Sequence, residues 1–196
     1  MDYRTREDEA MTARERLIDS AIELLRRNGV AGTGLAELLQ HSGAARRSVY
    51  VNFPGGKSEL MTEATRTAGR LMDSTLAGAA PDGDGRESLA EFVESWKETL
   101  RTSDYTAGCP VVAAALGRTE SPSAADAAGE VFTAWQNMLA GRLRAEGVGI
   151  DEAESLATTI VAAVEGAVVL CLAAQSTDPL DRTVQMLDQL IAHHTG

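Results

Sequence analysis

The chain has 196 residues, with 18 Lys and Arg against 29 Asp and Glu, a formal net charge of −11. That length holds one domain or two small ones, with room for a substantial core. No run of 18 apolar residues predicts a membrane span, no apolar N-terminal segment predicts a secretory signal, and two cysteines, Cys109 and Cys171, make no disulfide framework. A soluble, cytoplasmic protein is expected. The acidic balance argues against a general nucleic-acid coat and leaves a local basic site open.

Thirty-two alanines, eight aromatics and five prolines describe an all-α chain. Residues 1–11 read as a flexible arm. Thr12-Ala13-Arg14-Glu15 forms a capping box that opens the first helix, whose apolar face is Leu17, Ile18, Ala21, Leu24 and Leu25, and Asn28-Gly29 closes it. Thr33 caps a short second helix, Leu35 to Ser42. Gly43 turns the chain into a third, Ala45 to Asn52, stopped by Phe53-Pro54-Gly55-Gly56. Longer helices follow: Ser58 to Leu76; a second capping box at Ser88-Leu89-Ala90-Glu91 after a polar loop at Asp82 to Gly85; Pro110 to Leu116; Pro122 to about Glu146, with Ser121 as its cap; Asp151 to about Gln175, capped by its acids; and Asp178 to about His193. That makes nine helices and no strand.

Charge divides the chain too. Residues 1–60 hold nine cations and nine acids; residues 61–196 hold nine and twenty. Between Ser42 and Ser58 stand Arg46, Arg47 and Lys57 and no acid, so an anionic partner is expected there. Three short helices with a glycine turn before the third describe a helix-turn-helix, whose third helix enters the DNA major groove. Its first residues are Arg46, Arg47 and Ser48, then Tyr50, Val51 and Asn52. Arg binds guanine and Asn binds adenine at two points each, while Tyr, Thr and Lys are phosphate donors. Packing is compatible with phosphate contact for Tyr50, whose ring is apolar and hydroxyl is not; it is the favoured reading for Phe53, and Asn52 stands where Asn also closes helices.

The run from Gly43 through Tyr50-Val51-Asn52-Phe53-Pro54-Gly55-Gly56-Lys57 to Leu60 resembles the TetR-family signature, a recognition helix ending in Tyr-x-x-Phe followed by Lys and by Leu three later. The doubled glycine, with Ala107-Gly108-Cys109-Pro110-Val111-Val112-Ala113-Ala114 further on, is similar to the LmrA/YxaF-like branch. The resemblance implies a helix-turn-helix domain at 1–57 and a ligand-binding and dimerisation domain at 58–196. It implies a homodimer through the last two helices that binds a palindromic operator in double-stranded DNA and is released by a small-molecule inducer. On the same ground Thr33, Tyr50 and Lys57 fall on phosphate-contact positions, and Arg46, Arg47, Ser48 and Asn52 on or near the groove-facing surface. Two departures stand out: Ala45 and Arg47 occupy positions where the branch usually has Pro and Gly. The first loosens the start of the third helix. The second either adds a contact or points to solvent.

In the second domain the sparse aromatics cluster. Met72, Phe92, Trp96, Tyr105, Cys109, Val112, Leu116, Phe132, Trp135 and Leu139 are expected to line a mainly apolar pocket, with Lys97 and Arg101 the only cations nearby. Plain core packing is the competing reading. Cys109 reads as inert packing, and His193-His194 as tail; no cofactor or metal site is expected. Two apolar stripes, Leu156-Ile160-Val164-Val168 and Leu180-Val184-Leu187-Ile191, offer one face to the domain and one to a partner. A ligand-responsive repressor, with an activator of the same fold as the alternative that the sequence does not separate from it, is thus favoured over an architectural DNA-binding protein and over a helical enzyme using Cys109 or Glu165.

Overall fold

In a computed structural model of the chain, residues 11–78 and 85–195 are described, with side chains at 11–73 and 89–195. The expected arm at 1–11, apart from Met11, and most of the loop at 82–85 lie outside the described residues. Among those described there are nine helices and no strand: α1 (Ala13–Gly32), α2 (Leu35–Ser42), α3 (Arg46–Asn52), α4 (Gly56–Gly78), α5 (Gly85–Thr102), α6 (Pro110–Leu116), α7 (Pro122–Ala145), α8 (Ile150–Ala174) and α9 (Asp178–Thr195).

The capping box at α1 forms as expected. Glu15 N–H donates to Thr12 Oγ1 at 3.2 Å, and Thr12 N–H donates to Glu15 Oε2 at 2.7 Å. The hydrogen bonds from Thr12 hold the Glu15 carboxyl below its ordinary range. At Gly29 (φ 67°) the helix breaks, and a further short turn carries it to Gly32. Gly34, not Thr33, is the N-cap of α2. Gly149 rather than an acid caps α8, its carbonyl accepting from Ala153 N–H at 2.8 Å. α5 begins at Gly85, so Ser88 lies inside that helix.

The first three helices close around Leu17, Leu25, Leu38, Val49 and Phe53, all fully or almost fully buried. The rest forms a bundle in which α7 packs on α4 and α8, and α9 lies against α8 and α5. Helix α1 belongs to both cores. The amide of Gly108 donates to Arg26 carbonyl at 2.9 Å, and Arg26 Nε donates back to the Gly108 carbonyl at 3.2 Å. Arg27 adds a bond to Thr106 Oγ1. Gly117, at the end of α6, lies so close to α1 that a Cβ there would meet Val30 Cγ2 at 2.3 Å.

α8 is, by length and composition alone, apolar enough to cross a membrane, although Glu165 interrupts its apolar run. One expectation fails at the end of the chain: both named stripes face inward. Leu156, Ile160, Val164, Val168, Leu180, Leu187 and Ile191 are buried in the bundle, with Val184 half-buried. The surplus apolar surface is a different set: Val169 (52% exposed), Leu170 (59%) and Met186 (62%), beside exposed Ala162, Gly166 and Ala173. A helix apolar on opposite faces breaks the single-stripe pattern from which the expectation was built.

Gly117→Ala is expected to cost about 1–3 kcal/mol, because the added methyl must separate α6 from α1. Urea unfolding measures it; an unchanged midpoint would mean that the two helices part freely.

Candidate nucleic-acid interface and ligand clefts

α3 is seven residues long and buries one face. Val49 and Phe53 pack inward, and Phe53 also carries the Arg14 guanidinium 5.3 Å from its ring centre. The opposite face is open: Arg46 and Arg47 are exposed, Tyr50 is half exposed and Val51 two-thirds exposed, with Ser48 half-buried beside them. The Tyr50 ring edge lies against Gly56, where a Cβ would come within 3.5 Å of it, so packing fixes the ring and leaves the phenol accessible. Among described residues the row holds two guanidiniums and no acid, which is the donor set that guanine edges and phosphates accept from. Val51 was not singled out from the sequence. An apolar side chain on the open face of such a helix suits contact with a thymine methyl, and its place beside Tyr50 was the available signal.

Three expected contacts are differently employed. Thr33 is fully buried, and its hydroxyl donates to the Gly29 carbonyl at 2.7 Å. This corrects its reading as a phosphate contact: it ties down the broken end of α1. Asn52 Nδ2 donates to the Ser48 carbonyl at 2.8 Å, so the amide folds back on its own helix. Lys57 is half-buried with Nζ 3.3 Å from the Val30 carbonyl; its ammonium stands between the end of α1 and the start of α4, with donors to spare. Glu59, just beyond the acid-free stretch, accepts from Gly55 N–H at 2.6 Å.

The expected single pocket is two clefts that share Phe92. The first holds about 700 Å³ of empty space, part of it open to solvent, between α5, α7, α8 and α9. Phe92, Trp135 and Leu139 line it as expected, with Ile160, Val164 and Ile191 from the inward stripes. The second, about 600 Å³, lies where α1 meets the bundle and takes Phe92, Trp96 and Met72 together with Ile22 and Arg26 of α1. Tyr105, Cys109, Val112 and Phe132 line neither cleft and pack against the core around them. Leu116 is corrected outright: at 82% exposure on the last turn of α6 it faces solvent.

The polar residues of the clefts were also misjudged. Lys97 bonds Asp181 at 2.7 Å and Glu94, and these raise its pKa. Arg101 reaches Thr177 at 3.4 Å. The cleft cations are instead Arg26, whose pKa burial lowers, and Arg142. Glu165 of α8 lines the first cleft, and burial pushes its carboxyl up to about 7 against a neighbouring Cys109 thiol that pulls it down. Burial, and then the charge of Glu165, raises the Cys109 thiol. The two residues named as alternatives for the enzymatic reading do meet, with burial favouring the protonated form of the Cys109 thiol.

Residues 17–64 match the family model described as "Bacterial regulatory proteins, tetR family", and residues 86–186 match "Transcriptional regulator LmrA/YxaF-like, C-terminal domain". An HTH-type transcriptional regulator of Mycobacterium tuberculosis, itself described as uncharacterized, is 34% identical over 91% of this chain and 93% of its own length. The HTH-type transcriptional regulator LmrA of Bacillus subtilis is 28% identical over 86% of this chain and 90% of its own. In fold, the chain is similar to the regulatory protein TetR from Rhodobacter sphaeroides, with a TM-score of 0.81 at 20% identity, covering 90% of this chain and 97% of that one.

Glu165 also makes a stability prediction. Its carboxyl ionises near 4.5 in the unfolded chain and near 7 in the folded one, so between those values the folded protein holds a proton that the unfolded chain has released. The contribution of this group to stability therefore falls as pH rises from 4.5 to 7. Glu165→Gln should stabilise the protein at pH 8 relative to its effect at pH 5 by on the order of 1–3 kcal/mol. Equal shifts in Tm at the two pH values would contradict this.

Proposed function

The chain belongs to the TetR family of bacterial transcriptional regulators, and from that premise we propose that it is a repressor that binds a palindromic operator as a homodimer in the cytoplasm and is released by a small, mainly apolar or aromatic inducer. The head is residues 1–57 and the ligand-binding and dimerisation body is 58–196. The observation that carries the DNA reading is the open row Arg46, Arg47, Tyr50 and Val51 on a short helix whose other face is fixed by Val49 and Phe53. Ser48 and Asn52 stand beside that row, and Lys57 approaches the phosphates at the start of α4. Thr33 is not part of the contact set.

The dimer reading rests on α8. Its inward face is satisfied by the bundle, while Val169 and Leu170, with Met186 of α9, leave apolar area in water. A second copy of the same two helices covers that area by two-fold symmetry and supplies the second reading head that a palindrome requires. The inducer reading rests on the two clefts. Both adjoin elements that position the head: the second is bounded by α1 itself, and the first by α7, which packs on α4. A ligand that binds one spacing of the two heads better than another shifts the population toward it.

Arg46→Ala is expected to cost roughly 1–3 kcal/mol on the preferred duplex and to flatten discrimination at one base pair, read by fluorescence anisotropy. An equal loss on random DNA would assign Arg46 to the backbone instead. Lys57→Ala should weaken all duplexes alike and reduce the slope of log affinity against log salt by about one; an unchanged slope would remove Lys57 from the phosphate contacts. Leu170→Glu should convert a particle with the mass of two chains to one chain in analytical ultracentrifugation, with the helical signal retained, and an unaltered mass would place the interface elsewhere.

A further inference from the structure

Three buried polar side-chain atoms have no hydrogen-bond partner among the described residues: Trp96 Nε1, Trp135 Nε1 and Glu165 Oε2. Two of them, an orphaned donor and an orphaned acceptor, belong to residues lining the first cleft. Buried polar groups are nearly always paired, and each exception calls for a missing partner. An unpaired carboxylate oxygen in an apolar wall is the costlier of the two, because the charged form loses its hydration and the Cys109 thiol offsets only part of the loss. A core glutamate of this kind is retained at a standing cost unless something is bound to it.

The charge of the cleft indicates what that is. Its described lining holds one cation, Arg142, against two acids, Glu146 and Glu165. Arg142 in the last turn of α7 and Glu146 at its C-cap bring one charge of each sign. Glu165, on α8, therefore leaves the described lining with one surplus negative charge. The remaining wall is aliphatic and aromatic: Leu89, Phe92, Leu139, Ile160, Val164 and Ile191.

We propose that this cleft takes an aromatic or aliphatic small molecule carrying one protonated amine, whose N–H groups donate to Glu165 Oε2 while an ether or carbonyl oxygen of the same molecule accepts from Trp135 Nε1. The apolar wall holds the body of the ligand and supplies most of the contact area. The amine replaces the water that the carboxylate lost, and the bond is charge-assisted and worth about twice a neutral one. A carboxylate ligand meets like charge at Glu165 and is excluded. An alcohol satisfies both orphaned atoms but leaves the charge uncompensated. This assignment rests on the ligand-responsive reading above and names the chemical class of the effector for that reading.

Three matched probes test it: 3-phenoxypropylamine, 3-phenoxypropanol and 3-phenoxypropanoate, titrated into the full chain at pH 8 by calorimetry and followed by tryptophan fluorescence. The amine should bind at least about tenfold more tightly than the alcohol, with the carboxylate weakest. Glu165→Gln should abolish that preference while moving the alcohol by less than about threefold. Trp135→Phe should weaken amine and alcohol alike. The assignment is overturned if the alcohol equals or exceeds the amine in the unaltered protein, if Glu165→Gln keeps the amine preference, or if none of the three binds. Repeating the titrations with a bound duplex separates the two readings. Amine binding that leaves DNA affinity unchanged supports the cleft assignment and contradicts the inducer reading. Loss of DNA affinity with the alcohol alone overturns the amine assignment and leaves the inducer reading standing.

Discussion

The position of the reading helix depends on the clamp that holds α1 between two cores. On one side Leu17 and Leu25 pack with Leu38, Val49 and Phe53 and so fix α3. On the other, Arg26 and Gly108 exchange hydrogen bonds through their backbone and side-chain atoms, and Val30 fills the space that Gly117 leaves open. Backbone bonds of this kind tolerate little sliding, and the Gly117 contact admits no added atom. The three-helix head thus moves with whatever moves α1 and α6. Under the proposed function that linkage is what would connect a cleft in the body to DNA: a ligand acts on an operator only if its differential binding energy reaches the heads.

Charge does complementary work. A body with nine cations against twenty acids repels the DNA backbone, while the acid-free stretch at 43–57 attracts it. The charge distribution therefore favours approach of DNA to the head, and the acidic body disfavours non-specific coating of DNA. The same sorting appears inside the body, where one desolvated carboxylate marks an otherwise apolar cleft.

Much of this was legible in the sequence. Apolar periodicity, glycine turns and prolines located all nine helices among the described residues, because those signals act locally, whereas the caps expected at Thr33, Ser88 and Asp151 were misplaced by a few residues. The open row of α3 was legible for a similar reason: with Val49 and Phe53 anchoring one face of a short helix, Arg46, Arg47 and Tyr50 fall on the other. The failures share a cause as well. Thr33 carries a side chain suited to a phosphate, but whether a hydroxyl points to solvent or into the end of a broken helix depends on a φ angle at Gly29, four residues away. Leu116 is apolar and lies near the cleft residues in sequence, but it falls on the last turn of a short helix whose inward face is already filled by Val111 and Ala114. Glu165 was visible as an acid in an apolar helix, but its partner Cys109 and most of the cleft wall come from other helices or their caps. On α8 the periodicity itself was ambiguous, since a helix apolar on two faces fits any stripe drawn through it.

The most direct test of the account is selection of bound sequences from random double-stranded DNA by the unaltered protein at moderate ionic strength. The account predicts a palindromic product with two half-sites whose centres lie about one helical turn, or a multiple of it, apart. Recovery of a single non-repeated site, or of unselected sequence, would contradict it.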